Sequence, residues 1–272
     1  MLTYVQSLTL GAVQGLTEFL PISSSGHLIL AREILHINTE SGLAFDAVLQ
    51  LGTTLAVLIY FRNDIYSLCL TFWRLVSGQK SKTSAQDKTL FFGILIGTIP
   101  ALILGLLLEH TMETLFRSAI LVALMLILGS LLFIAAERYA RQKQAHPSLK
   151  QSWWIGVFQC LALVPGVSRS GSTISGGLLL GLTRESATRF SFLLSLPIIA
   201  GSGLLKLKDI IESPPQDFDR ISLSLGFLAS AIVGYAAIGW LIRFLKRNSL
   251  MPFVWYRLSL AVLVVLMLFF ER

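Results

Sequence analysis

Three stretches of this sequence, 90–108, 118–136 and 221–242, run without a single charged residue, and each reaches the roughly 18 apolar residues needed to cross the hydrocarbon of a bilayer as a helix. Little else suits such runs. Segments 43–61, 190–205 and 258–270 read as three further spans, the first with Asp46 near one end and the last preceded by Phe253, Trp255 and Tyr256, aromatic residues suited to a membrane interface. The fold expected is an all-α integral membrane protein with about six full transmembrane helices.

Over 272 residues, 54% are hydrophobic and 14% charged, a balance unlike that of soluble domains. The first basic residue is Arg32, so the N-terminal segment lacks the positive n-region of a cleaved signal and is expected to stay in the mature protein. Cys69 and Cys160 are lone thiols in apolar surroundings and read as small hydrophobes, not as a disulfide or a metal site. The net charge of +7 does not point to nucleic acid, because Lys and Arg sit in loops flanking the spans. Arg62, Arg74, Lys80, Lys82 and Lys88 in one loop, and Arg138, Arg141, Lys143 and Lys150 in another, place both on the cytoplasmic side. Alternation then puts 109–117, the acidic loop with Asp209, Glu212, Asp217 and Asp219, and both termini outside.

Set against itself at an offset of 145, the chain aligns GAVQGLTEFLPISSSG from Gly11 with GVFQCLALVPGVSRSG from Gly156. Six positions match: Gly11 with Gly156, Gln14 with Gln159, Leu16 with Leu161, Ser23 with Ser168, Ser25 with Ser170 and Gly26 with Gly171. Phe45, Leu49 and Leu51 meet Phe190, Leu194 and Leu196 at the same offset, so the match continues through the next span. We read a duplication within a single membrane domain, with halves of roughly 1–136 and 137–272. Three spans per half, an odd number, invert the second half relative to the first. Each Ser-rich segment is then a re-entrant helix-loop-helix hairpin, broken by Pro21 and Gly26 in one half and by Pro165, Gly166 and Gly171 in the other. Such backbone is tolerated at membrane depth only under cover of protein or water.

These hairpins hold the concentrated polar chemistry. Gln14 and Glu18, spaced i and i+4, share a helix face, and a carboxylate at that depth needs a cation, water or a proton. Ser23, Ser24, Ser25 and His27 follow. The grouping of Ser24, His27 and Glu18 offers a nucleophile, a general acid/base and ligands for a metal or phosphate. In the second hairpin, Arg169 is flanked by Ser168, Ser170 and Thr173, and a planar guanidinium among hydroxyls suits phosphate. A helix expected to start near Thr173 would add amide donors.

The run Gln14-Gly15-Leu16-Thr17-Glu18-Phe19-Leu20-Pro21 with Ser23, Ser24, Ser25, Gly26 and His27, together with PGVSRSGSTISGG from Pro165 and the FQC at 158–160, resembles the bacterial undecaprenyl-diphosphate phosphatases, the bacitracin-resistance family. The resemblance covers essentially the whole chain. It implies hydrolysis of undecaprenyl diphosphate to undecaprenyl phosphate and inorganic phosphate, in recycling of the cell-wall lipid carrier. It also implies a divalent cation, Mg2+ or Ca2+, an active site on the external or periplasmic side of the bacterial inner membrane, inverted repeats and a homodimer. Carried over by motif, Glu18, Ser24, His27 and Arg169 are the expected catalytic residues. Ser23, Ser168, Arg169, Ser170 and Thr173 are the expected substrate contacts, and Gln14 and Glu18 the metal positions. Many members have Glu where this chain has Gln14, which removes one ligand charge.

A transporter or flippase for an anionic prenyl-phosphate lipid is the rival reading, since inverted repeats with broken helices also serve transport. The other membrane acid-phosphatase family, with short Ser-Gly-His and Ser-Arg elements, requires a second His after its Ser-Arg, and none lies between Ser168 and Glu185.

Overall fold

The computed structural model describes residues 2–37, 42–79, 82–108, 119–212 and 219–270. Among them are eleven α-helices: α1 (Tyr4–Phe19), α2 (Ser24–Ile34), α3 (Gly42–Tyr60), α4 (Arg62–Val76), α5 (Ala85–Leu107), α6 (Ala119–Tyr139), α7 (Leu149–Cys160), α8 (Arg169–Leu179), α9 (Arg184–Glu212), α10 (Arg220–Leu245) and α11 (Met251–Phe270). No β-strand occurs among the described residues.

Four helices, α5, α6, the 184–205 part of α9, and α10, are long and apolar enough to cross a membrane. The other two expected spans fall on α3, 19 residues long, and α11, whose 20 residues measure about 30 Å at 1.5 Å per residue. The four helices of the Ser-rich segments are shorter, at 16, 11, 12 and 11 residues. One expectation needs correction. The basic stretch read as a loop from Arg62 is largely helical, because α4 leaves α3 at an 83° bend. Arg189 holds this elbow, donating from Nη2 to both Asp64 carboxylate oxygens at 3.0 Å with its guanidinium 5.2 Å from the Phe61 ring centre. The expected outer loop 109–117, Lys80 and Asp217 lie outside the described residues. Glu212 ends α9, and Asp219 caps α10 by accepting from the Ser222 amide.

The offset of 145 reappears in local geometry. Thr3 and Gln6 form a reciprocal capping box at the start of α1, and Ser148 and Gln151 form another at the start of α7, each satisfying amide groups that the first helical turn leaves open. Ser23 and Ser168 both have left-handed backbone, with φ of 74° and 78°. His36 and Gly181, where α2 and α8 have ended, do so as well, at 51° and 95°. The halves interleave: α1 packs along α10, and α7 along α5. Between them lies a core of fully buried aromatics, in which Phe19 meets Phe192 edge-on at 5.2 Å. Large apolar side chains such as Leu106, Leu107, Ile120 and Ile232 remain exposed on the outside of α5, α6 and α10, as suits a surface solvated by lipid tails.

Candidate active site

Each Ser-rich segment is a helix that stops, turns through a few extended residues and restarts. In the first, Leu20 leaves the helix with ψ of 139° ahead of Pro21, and Ser23, in left-handed backbone, starts α2. The second passes through a short 3-10 turn at Leu161–Leu163 to Pro165, Gly166 and Ser168, where α8 begins. That helix starts at Arg169, four residues earlier than expected, because the Ser168 hydroxyl caps it by accepting from the Gly171 amide at 3.2 Å. The expectation that Gly26 and Gly171 are part of the breaks is also corrected: both lie inside helices. Gly171 is small because a Cβ there would sit 2.1 Å from Cζ of Phe133 and 3.2 Å from Cβ of Pro21, so it lets one break pack against the other.

The two breaks join through four side chains. Glu18 Oε2 accepts from Gln14 Nε2 at 3.0 Å and from the Ser24 hydroxyl at 2.8 Å. Its other oxygen, Oε1, accepts from Arg169 Nη2 at 2.9 Å, with only 8% of the Glu18 side chain and 15% of the Arg169 side chain exposed. Taking two charges out of water costs several kcal/mol per ion, and this is offset only by close pairing and further hydrogen bonds. Arg169 gains one such bond by donating from Nη1 to the Ser191 carbonyl at 3.3 Å. Ser170 crosses to the other break, donating to the Leu20 carbonyl at 3.3 Å.

Thus Gln14, Glu18, Ser24 and Arg169 form one cluster. The remaining predicted residues take other places. Ser168 caps α8, and Thr173 donates to the Arg169 carbonyl at 2.8 Å, so the proton of its 2.6 Å contact with Ser191 comes from the Ser191 hydroxyl. Ser23 contacts the Ser25 hydroxyl at 3.3 Å, as Ser168 contacts that of Ser170 at 3.2 Å. Ser23, Ser168, Ser170 and Thr173 are all buried and hold the shape of the breaks. The His27 ring nitrogens are turned elsewhere: Nδ1 lies 2.8 Å from the Ser23 carbonyl and Nε2 lies 2.7 Å from the Tyr256 hydroxyl.

Three residues of the site escaped the sequence reading. Arg257 is fully buried, and its Nη1 donates to the carbonyls of Val167 at 3.0 Å and Pro21 at 3.4 Å while Nη2 donates to that of Gly166 at 3.0 Å. Carbonyls freed where helices break need donors when water is excluded, and one guanidinium serves both breaks. Its Nε reaches the Ser130 hydroxyl at 3.2 Å, and its plane lies over Phe133, 4.8 Å from the ring centre. A lone Arg immediately before an apolar run was the available signal, but it reads equally as an interfacial anchor. Tyr256 had been read as interfacial, and Ser191 lay unmarked within a span.

A divalent cation was expected at Gln14 and Glu18. Among the described residues no group of three or more His, Cys, Asp or Glu side chains is placed to hold a metal. Gln14 Oε1, however, is buried without a hydrogen-bond partner, on a side chain whose Nε2 donates to the carboxylate that also accepts from Ser24. Amide, carboxylate and hydroxyl oxygens are donor types that fit a hard cation taking its other ligands from water and phosphate, as Mg2+ commonly does.

Known proteins match this chain in sequence over nearly its whole length. The family model for the bacitracin resistance protein BacA matches residues 7–263, which include both breaks and Arg257. Undecaprenyl-diphosphatase from Rubrobacter xylanophilus is 44% identical over 271 residues, covering 98% of this chain and 99% of that protein. The protein of the same name from Thermobifida fusca is 42% identical over 99% of this chain and 91% of its own, and that from Geotalea daltonii 45% identical over 97% and 98%. With its paired broken helices falling inside a match of that extent, the chain belongs to the bacitracin resistance protein BacA family.

Proposed function

We propose that this protein hydrolyses undecaprenyl diphosphate to undecaprenyl phosphate and inorganic phosphate, returning the lipid carrier to cell-wall synthesis and conferring resistance to bacitracin. The observation that carries the mechanism is the double engagement of Glu18, held on one oxygen by Arg169 and on the other by the Ser24 hydroxyl. Arg169 is the group that grips the diphosphate, since a guanidinium presents parallel donors to phosphate oxygens. The arriving phosphate competes with Glu18 Oε1 for that guanidinium. Glu18 Oε2 already accepts from Ser24 and takes the proton as Ser24 Oγ attacks the terminal phosphorus. The P–O bond to the bridging oxygen breaks, and its electron pair leaves with undecaprenyl phosphate. Water then displaces phosphate from Ser24, with His27 as the acid/base of this second step.

Gln14 Oε1, the Glu18 carboxylate and Ser24 Oγ are the atoms that would hold Mg2+ or Ca2+ beside the phosphates. When bound, the cation neutralises charge that builds on the transferring phosphoryl group. Ser168 and Thr173 act through Arg169, one by capping its helix and the other by bonding its carbonyl, and Ser170 ties the two breaks together. The halves are inverted repeats, the site faces the external or periplasmic side of the inner membrane, and the protein acts as a homodimer.

The test of this order of attack is to stop turnover in acid and recover the phosphorylated enzyme. Phosphate on Ser24 survives acid and is absent from Ser24→Ala, whereas an acid-labile phosphohistidine would reject Ser24 as the nucleophile.

A further inference from the structure

His27 is the expected catalytic residue whose partners differ most from expectation, and those partners define its chemical state. The Ser23 carbonyl only accepts, so the 2.8 Å contact puts a proton on Nδ1. In the neutral ring Nε2 is then the lone-pair nitrogen, and the Tyr256 hydroxyl at 2.7 Å donates to it. If Nε2 gains a proton, the same hydroxyl rotates and accepts. A phenol can do both, so His27 changes charge without losing either hydrogen bond. The two rings lie 5.6 Å apart and 9° from parallel, the alignment expected when the hydroxyl meets the in-plane lone pair of Nε2.

The setting of Tyr256 adds a second feature. Its neighbour Arg257 is fully buried and bonded to both breaks, so the first turns of α11 are fixed relative to α2. Tyr256 itself is 45% exposed. It is thus a half-exposed residue whose hydroxyl meets the more enclosed imidazole. Packing needs only the ring, and the hydroxyl goes to the one ring nitrogen with a lone pair, so a proton reaches or leaves Nε2 by way of this hydroxyl.

We propose that Tyr256 is a positioning residue for His27, holding it as the Nδ1–H tautomer with Nε2 hydrogen-bonded in both charge states. The inference rests on the assignment of His27 as the acid/base of the reaction. Tyr256→Phe tests it, because Phe keeps the ring and removes only the hydroxyl. The full chain in lipid nanodiscs is assayed with undecaprenyl diphosphate, and its 15N-histidine spectrum is recorded, the His27 signals being those lost in His27→Ala. In Tyr256→Phe, kcat falls about ten-fold, the scale of one hydrogen bond's net contribution, with KM little changed, and the His27 nitrogens shift to a mixture of tautomers. Unchanged kcat with unchanged His27 signals overturns the proposal. Tyr256→Leu, which removes ring and hydroxyl together, shows kcat no higher than that of Tyr256→Phe; a higher value also overturns it. Full turnover in His27→Ala overturns the acid/base assignment itself, whereas an impaired His27→Ala beside a normal Tyr256→Phe rejects the inference alone.

Discussion

Arg169 shows what a single residue contributes at this site. Its charge pairs with Glu18 at 2.9 Å, yet its second terminal nitrogen is also in use, on the Ser191 carbonyl. A lysine keeps the charge but presents one ammonium where the guanidinium has a planar fork. Arg169→Lys should therefore retain the fold and lose about 2 kcal/mol or more of transition-state stabilisation, read as a fall in kcat/KM of about thirty-fold or more by the same relation. Near-normal kcat/KM in this variant would refute the assignment. Charge at Arg169 and Glu18 was legible from sequence because ionisable groups among apolar spans carry a cost that something must offset. The partner of His27 was not legible, since Tyr256 lies 229 residues away and only packing brings α11 to α2.

At the scale of elements, the broken helices are the unit on which the site is built, and Arg257 is what makes two breaks compatible with a dry interior. It needs close access to α6, and Gly129 provides it: a Cβ at that position would lie 2.2 Å from Arg257 Nη2 and 3.1 Å from the Val167 carbonyl. Gly129→Ala should destabilise the protein by about 1–3 kcal/mol, the usual cost of overpacking, and turnover should fall with it. Gly105→Ala is the control, because its Cβ would meet only Leu163 Cδ2 at an ordinary 3.8 Å. Thermal unfolding in detergent separates the two; equal midpoints would mean that Arg257 accommodates the methyl group. The breaks themselves could be placed from Pro21 and Pro165, since proline cannot continue the hydrogen-bond ladder. Their extent could not be placed from sequence. Gly26 and Gly171 look like hinges in sequence, but their small size serves contacts across space.

For the molecule as a whole, interleaved halves with broken helices at the centre suit both a hydrolase and a transporter, and the site chemistry favours the hydrolase. Pure protein in sealed vesicles should release phosphate from undecaprenyl diphosphate without carrying the lipid across, stop when a chelator is added and resume with Mg2+ or Ca2+. Lipid transfer without phosphate release would support transport instead, and turnover unaffected by chelation would remove the cation. The amino-acid sequence alone determined that the chain is an all-helical membrane protein, that it repeats at an offset of 145, and that Glu18, Ser24 and Arg169 are polar groups set among apolar spans. Each conclusion follows from local rules: hydrocarbon thickness sets the length of apolar runs, proline interrupts helices, and charge among apolar residues is expensive. Tertiary structure decided which groups meet. It gave the Ser24 hydroxyl to Glu18, turned His27 toward Tyr256 and placed Arg257 between the breaks. Such contacts join residues up to 236 positions apart, and they arise because donors and acceptors left open by a broken helix, with no water to bond, must be satisfied by whatever the packing of distant helices brings within reach.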